Sequence, residues 1–299
     1  MPDLYELTGE PAPERPVIIA VLEGWVDAGL AARTALAALV ETISFRPYAV
    51  FDDEELIDLR ARRPQLRIVD GVAESLTFER PVMQVGEDRL GSGILLLSGP
   101  EPDFRWRRFS ASVLEIAQQV QARMLIGLGG FPAGAPHTRP VRLAATASTP
   151  ELARVVGYVD GTIEVPSGAQ AALERAFAIG GIPAVGLWAR VPHYVSAMPF
   201  APASLALLDG IASVSGLVID SEVLKEAAES ARRKVDELIQ QSPEHAAMVH
   251  QLETNIDVLE GTPGPGELDV PSGDEIAAEL ERYLRGEHNG GDSEPDGSE

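Results

Sequence analysis

The sequence has no cysteine, which removes disulfides, thiolate nucleophiles and zinc–thiolate sites from consideration. Lysine is nearly missing as well, since only Lys225 and Lys234 stand among the 24 basic residues. Against 46 acidic residues this leaves a formal net charge of −22. A surface that acidic repels phosphate backbones and anionic headgroups, so nucleic acid and membrane are not expected as partners. Also lacking is any apolar run of membrane-spanning length. The opening MPDLYELTGEPAPERP offers neither the basic n-region nor the apolar h-region of an export signal, which sets the expectation of a cytoplasmic protein. Histidine is scarce. Of five, His245 and His250 lie five apart, off the i, i+4 register of paired zinc ligands, and His288 falls in the tail. That leaves His137 and His193, too few to call for a metal or another cofactor. No G-x-S-x-G elbow, GxGxxG or GK[ST] is present, which disfavours an α/β-hydrolase serine enzyme and a mononucleotide loop.

What is there is ordinary globular material: 299 residues, 45% hydrophobic and 23% charged, ample for a core. The chain is organised around Leu125–Pro140, LIGLGGFPAGAPHTRP. Apolar residues run into Gly127, Gly129 and Gly130, then into a stiff loop holding Gly134 and ending at His137, Thr138 and Arg139. Glycines at the end of a strand let another group approach the backbone closely. Carboxyl ends of strands are where open α/β sheets place their sites.

Taken in order, Pro16–Trp25 predicts a buried strand and Leu30–Ile43 a helix, with Asp27 as its N-cap and Trp25 as a core aromatic. Tyr48–Phe51, Leu66–Val69, Glu74–Phe78, Pro81–Val85 and Ile94–Leu97 read as short strands, with Asp70-Gly71 a turn between two of them. A helix runs from Phe104 to about Ala122. After the central stretch come a strand over Val141–Ala147, a helix over Glu151–Val156 and a shorter strand over Gly161–Val165. A helix over Ala169–Ile179 follows, then a buried strand within Ile182–Val195. That strand ends in a second polar cluster, Arg190, His193 and Tyr194. A helix from Pro202 to Ser215 closes the alternation. Repeated strand–helix units predict an α/β fold with a mainly parallel central sheet flanked by helices.

Residues 1–216 are thus expected to form the α/β core domain. Residues 217–260 form a helical hairpin, with Leu224, Ala228, Ala231, Val235 and Leu238 on one helix and Met248, Leu252, Ile256 and Leu259 on the other. Residues 261–271 read as a Pro/Gly linker, 272–285 as a short helix and 286–299 as a disordered acidic tail. From Glu260 to Glu299 there are 12 acids against Arg282 and Arg285, a balance of −10.

The residue types allow two chemistries. Arg139 and Arg190 could grip a carboxylate or phosphate in bidentate fashion, with His137 or His193 as general acid/base and Asp27 as orienting group. Alternatively the arginines fasten loops by pairing with acids such as Glu23 or Asp27, since structural ion-pair networks use the same residues. The enzyme reading requires these side chains to meet in one concave pocket.

Three motifs, EGWVDAG, LGGFPAGAPHTRP and GIPAVGLWARVPHYVSAMPFAPASLALL, closely resemble the proteasome assembly chaperone 2 family in its actinobacterial branch, over about residues 15–260. The resemblance implies a fold related to nucleoside phosphorylases and peptidyl-tRNA hydrolases. It also implies a homo-oligomer, with a trimer the first expectation, and a chaperone-like role in which relatives bind proteasome α-subunits. It brings with it no established reaction. In this reading Asp27, His137, Thr138, Arg139, Arg190, His193 and Tyr194, with the backbone at Gly129, Gly130 and Gly134, bind a ligand or partner. The hydrophobic–tyrosine–any ending by which proteasome-binding partners often dock has no counterpart in Pro295-Asp296-Gly297-Ser298-Glu299. This counts against docking by the tail and leaves a contact made by the folded body open.

Overall fold

The structure, a computed structural model, describes residues 4–159 and 161–261. The linker, the short helix and the acidic tail expected beyond residue 261 lie outside the described residues.

Ten strands and eight α-helices are described: β1 Tyr5–Leu7, β2 Val17–Glu23, α1 Ala31–Thr42, β3 Arg46–Phe51, α2 Asp53–Leu56, β4 Gln65–Val69, β5 Val72–Thr77, β6 Val82–Glu87, β7 Gly93–Pro100, α3 Trp106–Gln119, β8 Met124–Ala133, β9 Leu143–Ala147, α4 Pro150–Val156, α5 Ala169–Ile179, β10 Ala184–Pro192, α6 Ala201–Ser215, α7 Glu222–Gln240 and α8 Pro243–Gly261. Eight strands form one sheet in the order β1-β3-β6-β7-β2-β8-β10-β9, while β4 and β5 pair only with each other.

The expectation of a mainly parallel sheet is corrected. Only the centre is parallel, where β7, β2, β8 and β10 run side by side. Both flanks are antiparallel: β1, β3 and β6 on one side and β9 on the other. The physical reason is connection length. β6 returns to β7 through a few residues, too short for the crossover that a parallel neighbour needs. The strand expected over Gly161–Val165 is not formed. Its β-branched Ile163 and Val165 stay 58% and 70% exposed, because β9 rather than this run pairs with β10.

The parallel centre is buried on both faces, which explains its continuous apolar runs. Ile19, Val21, Ile126, Leu128, Val185 and Leu187 point to a layer containing α1 and α6. Ile18, Ala20, Leu95, Leu97, Leu125 and Ala184 point to the opposite layer, built on Phe109, Val113, Leu173 and Phe177 of α3 and α5. α7 packs against α6 through Leu224 and Val235, but Leu238 of the expected seam is 52% exposed.

The β4–β5 ribbon stands apart. Asp70 and Gly71 take φ of 47° and 83°, the two left-handed positions that a type I′ turn demands. Every residue of both strands is exposed.

Candidate functional site

The polar residues picked out from sequence do not converge. They divide between the two faces of the sheet and among three local jobs.

Asp27 is a helix cap. Its carboxylate accepts from the backbone N–H groups of Ala32 at 2.7 Å and Arg33 at 3.0 Å, satisfying donors that the first turn of α1 leaves unpaired. Its backbone bridges Gly130, where an added Cβ would meet the Ala28 carbonyl oxygen at 2.8 Å. Gly130 is thus kept small by the close passage of the chain entering α1. Trp25, expected in the core, is instead 47% exposed.

His137, Thr138 and Arg139 form a latch to the C-terminal helices. The His137 ring is 2% exposed. Its Nδ1 lies 2.7 Å from the Tyr194 hydroxyl, which also accepts the His137 backbone N–H at 2.8 Å, and its Nε2 lies 2.9 Å from Asp236 of α7. A carboxylate at Nε2 can only accept, so with Asp236 ionised the neutral ring carries its proton on Nε2 and Nδ1 takes the Tyr194 hydroxyl hydrogen. Thr138 donates to Glu253 of α8. Arg139 holds Asp257 with two nitrogens, at 3.0 and 2.8 Å, and reaches Glu253 at 3.3 Å. Arg232 of α7 donates back to the Arg139 carbonyl at 3.0 Å. The loop-fastening role expected for Arg139 therefore has different acceptors from those expected. They are Glu253 and Asp257, while Glu23 pairs with Arg33. Gly134 touches α8 loosely, the nearest atom to an added Cβ being Leu252 Cδ2 at 3.9 Å. His193 is exposed and stacks edge-on against Tyr194.

Arg190 belongs to the other face, with Trp188 two residues before it. Here lies the concavity that an α/β fold provides at the carboxyl ends of its parallel strands. It is lined by Leu22, Trp25, Glu101, Gln170 and Trp188. The sheet beneath is a row of glycines, each covered by a side chain. Gln170 lies on Gly127, Trp188 on Gly129 and Glu174 on Gly186, so that a Cβ at any of the three would overlap its cover. Trp188 Nε1 donates to Thr146 Oγ1 at 3.2 Å, Thr146 donates to one Glu174 oxygen at 2.7 Å, and Gln170 donates to the other at 3.2 Å. Burial lifts the Glu174 carboxyl to about 7, against the pull of these two hydrogen bonds. Glu101, 7% exposed, accepts the Ala169 N–H at 2.6 Å at the start of α5. Burial pushes its carboxyl up too, opposed by that hydrogen bond and by Arg62. What remains open is about 20 Å³, room for one water molecule. Glu101, Gln170 and Glu174 were not singled out from sequence. Glu101 had a visible signal, an acid directly after the apolar run ILLLSGP; the other two look like ordinary helix residues.

No group of three or more histidines and carboxylates that could hold a metal occurs among the described residues. No described helix is long and apolar enough to cross a membrane.

The PAC2 family model matches residues 21–239, a span that holds the filled concavity and the His137–Tyr194–Asp236 part of the latch and ends before α8. The chain belongs to the PAC2 family. Among solved structures, a Mycobacterium tuberculosis proteasome-assembly chaperone homologue is 36% identical, covering 78% of this chain and 99% of its own at a TM-score of 0.70. A Mycobacterium tuberculosis protein of unknown function is 35% identical, covering 87% and 92% at 0.78. A Corynebacterium glutamicum protein of unknown function is 32% identical, covering 85% and 97% at 0.78. The archaeal proteasome activator PbaB of Pyrococcus furiosus, at 17% identity and a TM-score of 0.58, shares the fold. None of the curated proteins compared with the chain matches it.

Proposed function

We propose that this PAC2 protein is a homo-oligomeric, chaperone-like protein-binding protein, a trimer of the cytoplasm, and not an enzyme. The observation that carries the reading is the β4–β5 ribbon. Leu66, Ile68, Val69, Val72 and Leu76 are 40–67% exposed on it, and a two-stranded ribbon with nothing on its faces is marginal in water. Apolar surface left open in this way marks a protein contact. The filled glycine row supports the non-catalytic half of the proposal, because side chains of the protein occupy the place a substrate would take. The name of the 36%-identical relative makes proteasome subunits the first partner to test. In this reading residues 1–216 are the body and α7 with α8 a helical hairpin latched onto it, offering its outer face to a subunit or partner.

The test is a ribbon variant, Leu66→Ser with Ile68→Ser and Val72→Ser, compared with the parent by light scattering and by capture of purified proteasome α-subunits. The ribbon lies outside both core layers, so the melting temperature of the variant body should hold. Loss of oligomer or of capture is expected. A variant that assembles and captures as the parent does would remove the ribbon from the contact, and a parent that is monomeric and captures nothing would end the proposal.

A further inference from the structure

The hollow left above the glycine row has a lining unlike that of an ordinary packing void. The chain has three tryptophans, and two of them, Trp25 and Trp188, wall it together with Glu101. Trp25 and Glu101 meet over Gly168, where an added Cβ would lie 3.1 Å from Trp25 Cγ and 3.2 Å from Glu101 Oε1. The Glu101 carboxyl group is only half used. Its Oε1 accepts the Ala169 N–H at 2.6 Å. Its Oε2 is not sealed in, and among the described residues it accepts no hydrogen bond. Arg62 forms its ion pair with Asp103, at 3.4 Å, rather than with Glu101. A carboxylate on a residue 7% exposed has lost most of its water, and an idle oxygen leaves that loss uncompensated. Such a group in a native fold calls for an explanation. Tryptophan is also the side chain whose ring attracts cations best. A carboxylate and two indoles around one hollow, at the carboxyl ends of the parallel strands, therefore point to a positively charged occupant.

We propose that this hollow binds the primary ammonium group of an alkylamine, such as the end of a lysine side chain from a partner protein. Size selects the ligand. The open volume of about 20 Å³ holds one water molecule, and an –NH3+ head is of that size, whereas a guanidinium or a quaternary ammonium is larger. Glu101 Oε2 accepts one N–H, and the indoles of Trp25 and Trp188 stabilise the charge. Leu22 and Val26, which also line the hollow, cover the methylene stem. Trp25, 47% exposed, forms the rim. The net charge of −22 draws cations towards the surface. The chain's own lysines, Lys225 and Lys234, both belong to α7, which packs in the layer of α1 and α6, opposite α5. The ammonium therefore comes from another molecule. It enters space that the glycine row leaves free and displaces none of the covering side chains. The site is separate from the ribbon and from the latch, so it stands whether or not the ribbon makes the protein contact.

The experiment titrates the full chain with n-butylammonium chloride at an ionic strength held constant with sodium chloride. Tryptophan emission and melting temperature are followed. A saturable change in emission and a rise in melting temperature are expected, with neither produced by tetramethylammonium chloride. Glu101→Gln keeps an oxygen for the Ala169 N–H and removes the charge, so it should bind about tenfold more weakly or worse. Trp25→Leu alters an exposed ring and should bind several-fold more weakly; it carries the test if Glu101→Gln does not fold. The ribbon variant Leu66→Ser with Ile68→Ser and Val72→Ser should bind butylammonium as the parent does, which keeps a failure of the ribbon distinct from a failure of this site. A second arm replaces the amine with a glycine–lysine–glycine peptide capped at both ends. Binding of the peptide points to a protein lysine and binding of butylammonium alone to a free alkylamine, both within the proposal. No response to either, a response to tetramethylammonium equal to that to butylammonium, or equal binding by the parent and the Glu101 and Trp25 variants overturns it.

Discussion

The imidazole Nε2 of His137 stands 2.9 Å from the carboxylate of Asp236, ninety-nine residues further along the chain. This contact ties the loop that follows β8 to α7, and it belongs to a chain of groups (Tyr194, His137, Asp236) in which each partner is already used. The arrangement resembles a catalytic relay in its chemistry, but the ring is sealed. It therefore holds helices.

Removing the ring tests that role. His137→Ala leaves the Tyr194 hydroxyl and the Asp236 carboxylate without it, and should destabilise the protein by about 1–3 kcal/mol. Faster hydrogen exchange should appear in α7 before it appears in the sheet. Unchanged exchange in α7 would contradict the latch.

Arg139→Ala should behave more mildly. Its ion pairs are at the surface, with Arg139 at 36% and Asp257 at 52% side-chain exposure, so the loss is expected to stay below about 1 kcal/mol. Even so, exchange in α8 should rise, because Glu253 and Asp257 both lose their arginine.

Tyr194 offers an alkaline readout. Burial, with the negative charges of Glu253 and Asp236 adding to it, lifts its phenol to about 12, partly offset by the His137 N–H. A raised pKa means stability that is present below the ordinary tyrosine value of about 10 and is lost as the pH climbs from there through 12. Burial raises Tyr48 as well, so an ultraviolet titration of the folded protein should find more than one late tyrosine, and Tyr194→Phe should remove the component near pH 12.

Glu174 gives the opposite end of the pH range. Its raised carboxyl keeps a proton in the fold that the unfolded chain gives up near pH 4.5. Stability therefore falls as pH rises from about 4.5 to about 7 and is level beyond. Glu174→Gln should leave melting at pH 5 nearly unchanged and raise it at pH 8, by on the order of 1–3 kcal/mol. Equal effects at both pH values would mean that the carboxyl is ionised throughout.

Gly129→Ala tests the filled concavity. The new Cβ overlaps the Trp188 ring, so Trp188 must leave its seat, with a cost of about 1–3 kcal/mol and a red-shifted tryptophan emission.

Much of this molecule was legible in residue order. Val17–Glu23 and Met124–Ala133 announce themselves as buried strands by their uninterrupted apolar runs, and Asp27 announces itself as a cap by standing just before an alanine-rich helix. Strand direction was not legible. Val82–Glu87 and Leu143–Ala147 have the composition of parallel neighbours, and only the short return to β7 and the pairing with β10 turn them over. The site was harder still. Glu101 and the α5 residues Gln170 and Glu174 come to one corner because Glu101, just after β7, accepts the Ala169 N–H while α5 lays Gln170 and Glu174 over Gly127 and Gly186, an adjacency that no spacing along the chain records. His137 and Arg139 were visible as chemistry, but their partners on α7 and α8 were not, since surface acids on a helix look alike until the helix is docked.

The parallel centre of the sheet also sets a timetable. β2 finds its inner neighbour in β8, with Val17 facing Met124, so one edge of β2 has no mate until the ribosome has made the intervening residues. At about 5–20 residues per second that edge waits for roughly 5–20 seconds, and β8 then waits again for β10. During those intervals a strand reading VIIAVLE is an open template for any other nascent chain.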